Sequence, residues 1–156
     1  MTDGQTSRYT GFMSTPASVT TRLGYLLKHA QVRLAELAEP LLAPHGVTGR
    51  EIAVLLVLDS PSPLSQQDAA SLLGIDRTTM VAMVDALEDK GFVHRRPAPT
   101  DRRRNLVELT PAGEAALRAG VAATDAAEDS LLSTLDKRQA AALRDALHRI
   151  VTGRPA

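Results

Sequence analysis

The stretch that decides the fold is residues 101–113, which read DRRRNLVELTPAG. It begins as a basic turn and continues as a strand-like alternation over residues 105–109. It then reaches Thr110 and Pro111, which predict an N-cap and a first helical turn. Residues 92–96 also have strand character, so the segment predicts a β-hairpin with a basic tip, followed by a helix. Such a hairpin is typical of a nucleic-acid-binding wing, and the alternative is a charged, solvated hairpin.

The residues upstream of this hairpin predict a helix-turn-helix pair. Residues 65–68 read SQQD and cap a helix that runs to about residue 73. Small Ala70 permits close approach of a second helix, Gly74 makes the turn, and Ile75 packs into the angle. The second helix spans about residues 77–90 and ends at Gly91. The alternative interpretation is an ordinary helical hairpin.

The helical period divides this second helix into two faces. The inward face is apolar and contains Met80, Met83, Val84 and Leu87. The outward face contains Arg77, Thr78, Val81, Ala82 and Asp85.

Amphipathic helices bracket this central part of the chain. We expect residues 1–16 to form a flexible arm, 17–46 an N-terminal dimerisation helix that bends or ends near Pro40, 47–110 the winged domain, and 111–156 C-terminal dimerisation helices. Their apolar stripes are wider than the small central core can cover, which predicts a homodimer. The predicted interface residues are Leu23, Leu27, Leu34, Leu143, Leu147 and Ile150.

Composition excludes several classes of function. The 156 residues carry no cysteine and no net charge, and only 3% are aromatic. The lack of cysteine excludes disulfides, thiolate metal sites and thiol redox sensing. The four histidines are dispersed, so we predict no metal site and no cofactor. No phosphate-binding loop, nucleophile elbow or acid–base pair indicates an enzyme. Without a membrane-span or signal-peptide pattern, the expected location is the cytoplasm.

Three runs together with the hairpin resemble the MarR family of bacterial transcription regulators. The runs are residues 64–70 (LSQQDAA), 73–81 (LGIDRTTMV) and 85–93 (DALEDKGFV). The hairpin resembles the family's Asp-x-Arg…Leu-Thr-x-x-Gly signature through Asp101, Arg103, Leu109, Thr110 and Gly113. The resemblance implies a mainly α fold with a small β wing, a winged helix-turn-helix homodimer. It also implies a repressor that binds double-stranded DNA at a pseudo-palindromic operator and is released by a small effector such as an aromatic acid.

The resemblance assigns roles to the wing tip. Arg103 would enter the minor groove, whose narrow A·T-rich form attracts a planar guanidinium, and Asp101 would hold the wing's shape. Other residues suit phosphates or helix N-termini, where a phosphate is favoured; they are Arg95, Arg96, Arg102, Arg104, Ser65, Gln66 and Thr79. For Ser65, capping is an equal alternative.

Base reading is expected from the outward face of the second helix, at Arg77, Thr78, Val81 and Ala82. Members of the family often have a long basic side chain where Ala82 stands. An operator inferred from relatives therefore does not transfer directly to this chain.

The resemblance also implies an effector pocket, with candidate residues Phe12, Tyr25, His29 and Arg33. A histidine and an arginine on one helix could hold an anion. The alternative is that Tyr25 packs at an interface and His29 is a solvated polar residue. The rival interpretation of the whole chain is a winged-helix module that binds protein instead of specific DNA.

Overall fold

The computed structural model describes residues 17–98 and 105–153. The chain divides into an N-terminal unit, residues 1–32, and a larger unit, residues 33–156. The helices are α1 (Ala17–Thr20), α2 (Leu23–Leu42), α3 (Gly49–Leu58), α4 (Gln66–Leu73), α5 (Arg77–Asp89), α6 (Pro111–Leu131) and α7 (Lys137–Thr152). The strands are β1 (Leu64–Ser65), β2 (Val93–Pro97) and β3 (Asn105–Leu109).

The predicted fold class, mainly helical with a winged helix-turn-helix, is confirmed by this order of elements. The sheet adds a strand that the sequence did not predict. Strand β1 pairs antiparallel with β3, Leu64 opposite Val107, so the spatial order is β1-β3-β2. The hairpin has Val93 opposite Leu109 and Pro97 opposite Asn105. A two-residue strand has too little pattern to be recognised without its partner.

The predicted helix ends are confirmed at several caps. Thr48 caps α3 in a capping box with Glu51, and Asp136 caps α7 in one with Gln139. Thr110 accepts from the backbone N–H of Gly113 at the start of α6. These caps depend on residues three apart in sequence, which is why sequence alone locates them.

The sequence predicted one continuous helix from residue 17, and this was wrong. The structure interrupts the helix at residues 21–22, between α1 and α2. Pro40 lies inside α2, which ends two residues later at Leu42, as expected of a proline that removes a helical hydrogen bond. A short 3-10 turn, Ala43–His45, and Gly46 in the left-handed conformation then reverse the chain.

The core of the larger unit lies between α3, α4, α5 and the sheet. Its fully buried side chains include Leu42, Val54, Leu55, Met80, Val84, Leu87, Val93 and Val107. Among the described residues, no single helix is long and apolar enough to cross a membrane, and one bent pair of helices meets the requirement only when both members are counted together.

Candidate nucleic-acid interface

Helix α5 is positioned by short-range contacts at its start. Gly74 ends α4 with φ 64°, a left-handed conformation that glycine adopts without strain. Asp76 then caps α5, because its carboxylate accepts from Thr79 N at 2.9 Å and from Thr79 Oγ1 at 2.6 Å. These hydrogen bonds lower the pKa of the Asp76 carboxyl. The turn and the cap together set the direction in which α5 leaves α4.

The two predicted faces of α5 are observed. Met80, Val84 and Leu87 are fully buried and Met83 is half-buried. On the other face Val81 is half-buried, and the exposed residues are Arg77, Thr78, Ala82 and Asp85. Across residues 17–98 and 105–153, Arg77 makes no ion pair, so its guanidinium is available to a ligand.

A close contact between α6 and the residue before β2 fixes the base of the wing. Thr110 donates its backbone N–H to the Phe92 carbonyl at 3.0 Å and its hydroxyl to the Gly91 carbonyl at 2.6 Å. Gly113 faces the same Phe92 backbone so closely that a Cβ there would lie 2.8 Å from the Phe92 carbonyl carbon. The Thr and Gly of the predicted signature therefore anchor the strands that carry the wing.

The wing tip lies outside the described residues, and with it the predicted contacts Asp101, Arg102, Arg103 and Arg104. Their predicted roles stay predictions. The described part of the wing is its two strands, on which Arg95 and Arg96 were predicted to bind phosphate.

The side chain of Arg95, which was predicted to contact phosphate, is engaged within the protein, and its predicted DNA contact stays a prediction. The guanidinium pairs with Asp85 and with Glu88 of α5, and its backbone N–H donates to Glu88 Oε1 at 3.0 Å. With the side-chain amide of Gln66 in the orientation that complements its surroundings, its oxygen accepts from Arg95 Nη2 at 2.8 Å and from Nε at 3.0 Å. Phosphate contact was inferred from charge alone, and the folded chain supplies two carboxylates that compete for that charge.

Arg96 is also paired, across the hairpin. Its Nη2 lies 2.6 Å from Glu108 Oε1, and His94 Nε2 lies 3.4 Å from Glu108 Oε2. The hydrogen bond from Arg96 lowers the pKa of the Glu108 carboxyl and raises that of the Arg96 guanidinium. Arg96 stays partly exposed, so it is a weaker phosphate candidate than its charge suggested.

Two of the residues predicted to contact phosphate at helix N-termini, Ser65 and Thr79, take part in the capping hydrogen bonds there. Ser65 is buried, and its hydroxyl donates to Asp68 Oδ2 at 2.6 Å and accepts from the backbone N–H of Asp68 at 3.2 Å. Of the two roles considered for Ser65, capping accounts for the observed geometry. Thr79 is exposed but gives its hydroxyl to Asp76. Both side chains are used in capping hydrogen bonds. A phosphate at either helix N-terminus would therefore be bound by backbone N–H groups.

The sequence analysis did not single out Arg50, an exposed residue in the first turn of α3. Two clefts of about 440 and 480 Å³ flank α5, and Arg50, Thr79 and Met83 line both of them. Arg50 is exposed and makes no ion pair with any residue of the described ranges. A cation in the first turn opposes the helix dipole, and this unfavourable placement is the signal that could have indicated another role.

A partly buried ion pair joins the C-terminal end of α5 to α3, next to one of these clefts. Lys90 Nζ lies 2.7 Å from Glu51 Oε1 and 2.9 Å from the Gly46 carbonyl. Burial raises the pKa of the Glu51 carboxyl, but hydrogen bonds from Lys90 and Thr48 outweigh it, so the pKa is lowered overall. This pair fixes the C-terminal end of α5.

The effector candidates contact their neighbours on α2. The Tyr25 and His29 rings stack with centroids 3.8 Å apart, and His29 Nδ1 donates to the Tyr25 carbonyl at 2.9 Å. Arg33 pairs with Glu36 at 3.3 Å. Phe12 lies outside the described residues. Arg33 thus has an acidic partner one turn away, and anion binding by His29 and Arg33 stays a prediction. Within the described ranges, no cluster of His, Asp and Glu could hold a metal.

The predicted dimer residues differ in exposure. Leu23, Leu27, Leu143 and Ile150 are exposed, Leu147 is half-buried, and Leu34 packs against the core of the larger unit. No residue of α7, which is described throughout, is buried. Helix α7 is nevertheless amphipathic, and the described residues cover its apolar stripe only in part, since Leu147 is half-buried and Leu143 and Ile150 are exposed.

Comparisons with known proteins match the chain to bacterial transcriptional regulators. The family model for the MarR family matches residues 45–104. A protein of Thauera aromatica described as a regulator of its hcr operon is 35% identical over 101 residues, which span 64% of this chain and only 61% of that protein. The transcriptional repressor CouR bound to a 23-mer DNA duplex is 36% identical, with a TM-score of 0.80, over 86% of this chain and 96% of that chain. CouR bound to p-coumaroyl-CoA is 33% identical, with a TM-score of 0.78, over 88% and 96%.

Proposed function

Because the chain belongs to the MarR family of transcriptional regulators, we propose that it is a sequence-specific DNA-binding repressor. In this proposal it binds a pseudo-palindromic operator as a homodimer and is released by a small ligand. Helix α5 enters the major groove, and the wing reaches the adjacent minor groove.

The observation that carries the proposal is the exposed face of α5. Arg77 begins this helix and Arg50 lies in the first turn of α3, and both are exposed and unpaired within the described residues. Two arginines at the positive ends of helix dipoles concentrate positive potential on one surface. A polyanion relieves that potential, and Arg77 has the bidentate geometry that recognises guanine. Thr78 and Ala82 lie beside it and suit a thymine methyl group.

Dimerisation is supported by apolar surface that the protomer does not cover. Leu143 and Ile150 of α7 are exposed, as are Leu23 and Leu27 of the N-terminal unit. A two-fold dimer presents two copies of α5 to half-sites about 34 Å apart, one turn of the DNA helix. An inverted repeat of that spacing is the expected operator.

An aromatic acid or its CoA thioester is the ligand class that we propose, from the similarity to a repressor solved with p-coumaroyl-CoA. A ligand that favours a dimer with another half-site spacing weakens DNA binding by its differential affinity for the two forms. A hundredfold release needs only about 2.7 kcal/mol. Titration of p-coumaroyl-CoA and of free p-coumarate into the protein–DNA complex tests this, and tight binding without any change in DNA affinity would contradict it.

The test of the main proposal is selection of bound sequences from random duplex DNA. Wild type is expected to enrich an inverted repeat. Arg77→Ala should lose about 1–3 kcal/mol of binding free energy and relax specificity at one base pair of each half-site. Arg103→Ala tests the predicted wing contact in the same way.

Arg118→Ala is the matched control, because Arg118 is an exposed arginine of α6 outside the proposed interface. It should bind the selected sequence as wild type does. Failure of wild type to enrich any sequence would instead favour a winged-helix module that binds protein. Equal losses of DNA affinity in Arg77→Ala and Arg118→Ala would show that α5 is not part of the DNA interface.

A further inference from the structure

Arg95 joins three elements of the larger unit through one side chain. It stands on β2, pairs with Asp85 and Glu88 of α5, and donates to Gln66, the first residue of α4. Its side chain is only 21% exposed, whereas that of Asp85 is 56% exposed. The guanidinium is thus enclosed by its partners while one of those partners faces outward beside the proposed DNA-reading residues.

The donors of this guanidinium are nearly all in use. Arginine has five side-chain N–H groups. Nε–H and one Nη2–H donate to Gln66, the second Nη2–H donates to Asp85, and one Nη1–H donates to Glu88. One N–H is left for any other acceptor. A bidentate phosphate contact would therefore require Arg95 to break a hydrogen bond, for example to a carboxylate of α5, which would then be unpaired.

Arg95 also affects the charge of the surface that it forms with Asp85 and Glu88. One guanidinium stands against the carboxylates of Asp85 and Glu88, so the cluster is already net negative. Without Arg95, both carboxylates would be uncompensated, and the more exposed one, Asp85, would repel phosphates. The base of the wing would also lose its link to α4 and α5.

From these contacts we infer that Arg95 is a positioning residue for DNA binding. It holds the wing strand β2, α5 and the start of α4 in one arrangement and cancels the charge of Asp85, and it does not itself contact a phosphate. The inference rests on the proposed function, since it concerns how that surface is organised to bind DNA.

The test is a double-mutant cycle of Arg95→Ala and Asp85→Asn on a duplex that wild type selects from random DNA. Binding is measured over a range of salt concentrations, and the melting temperature of each variant is recorded. Arg95→Ala should weaken binding by about tenfold or more, because hydrogen bonds between charged groups are lost. The slope of log affinity against log salt should stay unchanged, because the number of contacted phosphates does. Asp85→Asn should restore part of the loss in the Arg95→Ala background, because it removes the uncompensated carboxylate, but it should not strengthen binding in wild type, where Arg95 already pairs with that carboxylate.

Two results would overturn the inference. One is a salt slope that falls by about 0.9 in Arg95→Ala, together with an Asp85→Asn effect that is equal in both backgrounds, since this describes a phosphate contact. The other is unchanged affinity in Arg95→Ala. If that variant does not fold, Arg95→Lys replaces it, because lysine keeps the charge but cannot reach three acceptors in one plane. Wild-type affinity in Arg95→Lys would refute the positioning geometry. Failure of wild type to select any duplex is a different result, which contradicts the proposed function itself.

Discussion

Replacement of Gly113 by alanine should destabilise the protein at the base of the wing. A Cβ at this position would lie 2.8 Å from the carbonyl carbon of Phe92, 3.2 Å from its Cα, and closer still to its oxygen. Carbon atoms in favourable contact are about 3.5–4.0 Å apart. All three atoms belong to the backbone, so no rotamer change relieves the overlap, and α6 must move away from the strand.

Two contributions set the expected loss of unfolding free energy in Gly113→Ala. Forced overpacking costs about 1–3 kcal/mol. Displacement of α6 also strains the hydrogen bond of 3.0 Å from Thr110 N to the Phe92 carbonyl, which contributes about 1 kcal/mol. We therefore expect Gly113→Ala to lose about 3 kcal/mol of unfolding free energy, or about 10 °C in melting temperature for a domain of this size.

Two other glycines provide a graded series. At Gly120 a Cβ would lie 2.8 Å from Ile52 Cγ1, a side chain that can partly rotate away, so alanine there should cost only about 1–2 kcal/mol. At Gly49 the nearest atom is the Leu42 Cδ1 at 4.0 Å, and alanine should stay within about 0.5 kcal/mol of wild type.

Urea unfolding followed by circular dichroism, at one fixed protein concentration, measures all three variants. The order of loss should be Gly113, then Gly120, then Gly49. A Gly113→Ala variant as stable as Gly49→Ala would refute the packing argument and the anchoring of the wing that it supports.

Two further predictions concern the Glu51–Lys90 ion pair and the dimer. Glu51→Gln should cost about 1–3 kcal/mol, because it leaves Lys90 without its carboxylate. The folded-state pKa of Glu51 is lowered from 4.5, so the advantage of wild type should be complete above that value and disappear as the pH falls through the lowered folded-state pKa. An advantage that persists in strong acid, measured by thermal unfolding, would contradict this. Ile150→Asp should give monomers in analytical ultracentrifugation, whereas Leu72→Asp should not. Ile150 and Leu72 are 70% and 68% exposed in the protomer, so the two variants should differ only if α7 forms the dimer interface. Dimers in both variants would show that the interface has been assigned wrongly.

Local chemistry explains which features could be predicted. The caps at Thr48, Thr110 and Asp136 each join residues three apart, and such contacts are present in the sequence as spacing. The buried face of α5 follows in the same way from the helical period, since Met80, Val84 and Leu87 return every three or four residues.

What escaped prediction depends on residues that meet only after folding. Arg95 and Arg96 read as two equivalent cations in a basic segment, but one was enclosed by carboxylates of α5 and the other paired across the hairpin with Glu108. Strand β1 exists because β3 lies beside it, some forty residues further along the chain.

The sequence by itself therefore determined the order of the elements from α3 onward except for strand β1, the ends of most helices and the face of α5 that turns outward, because each is encoded within one or two helical turns. Only the tertiary structure decided which charges remain available to a ligand. A charge is neutralised by whichever opposite group comes near it, and proximity between distant residues is a property of the fold. In this protein that left Arg77 and Arg50 free within the described residues and turned Arg95 into a link between α4, α5 and the wing.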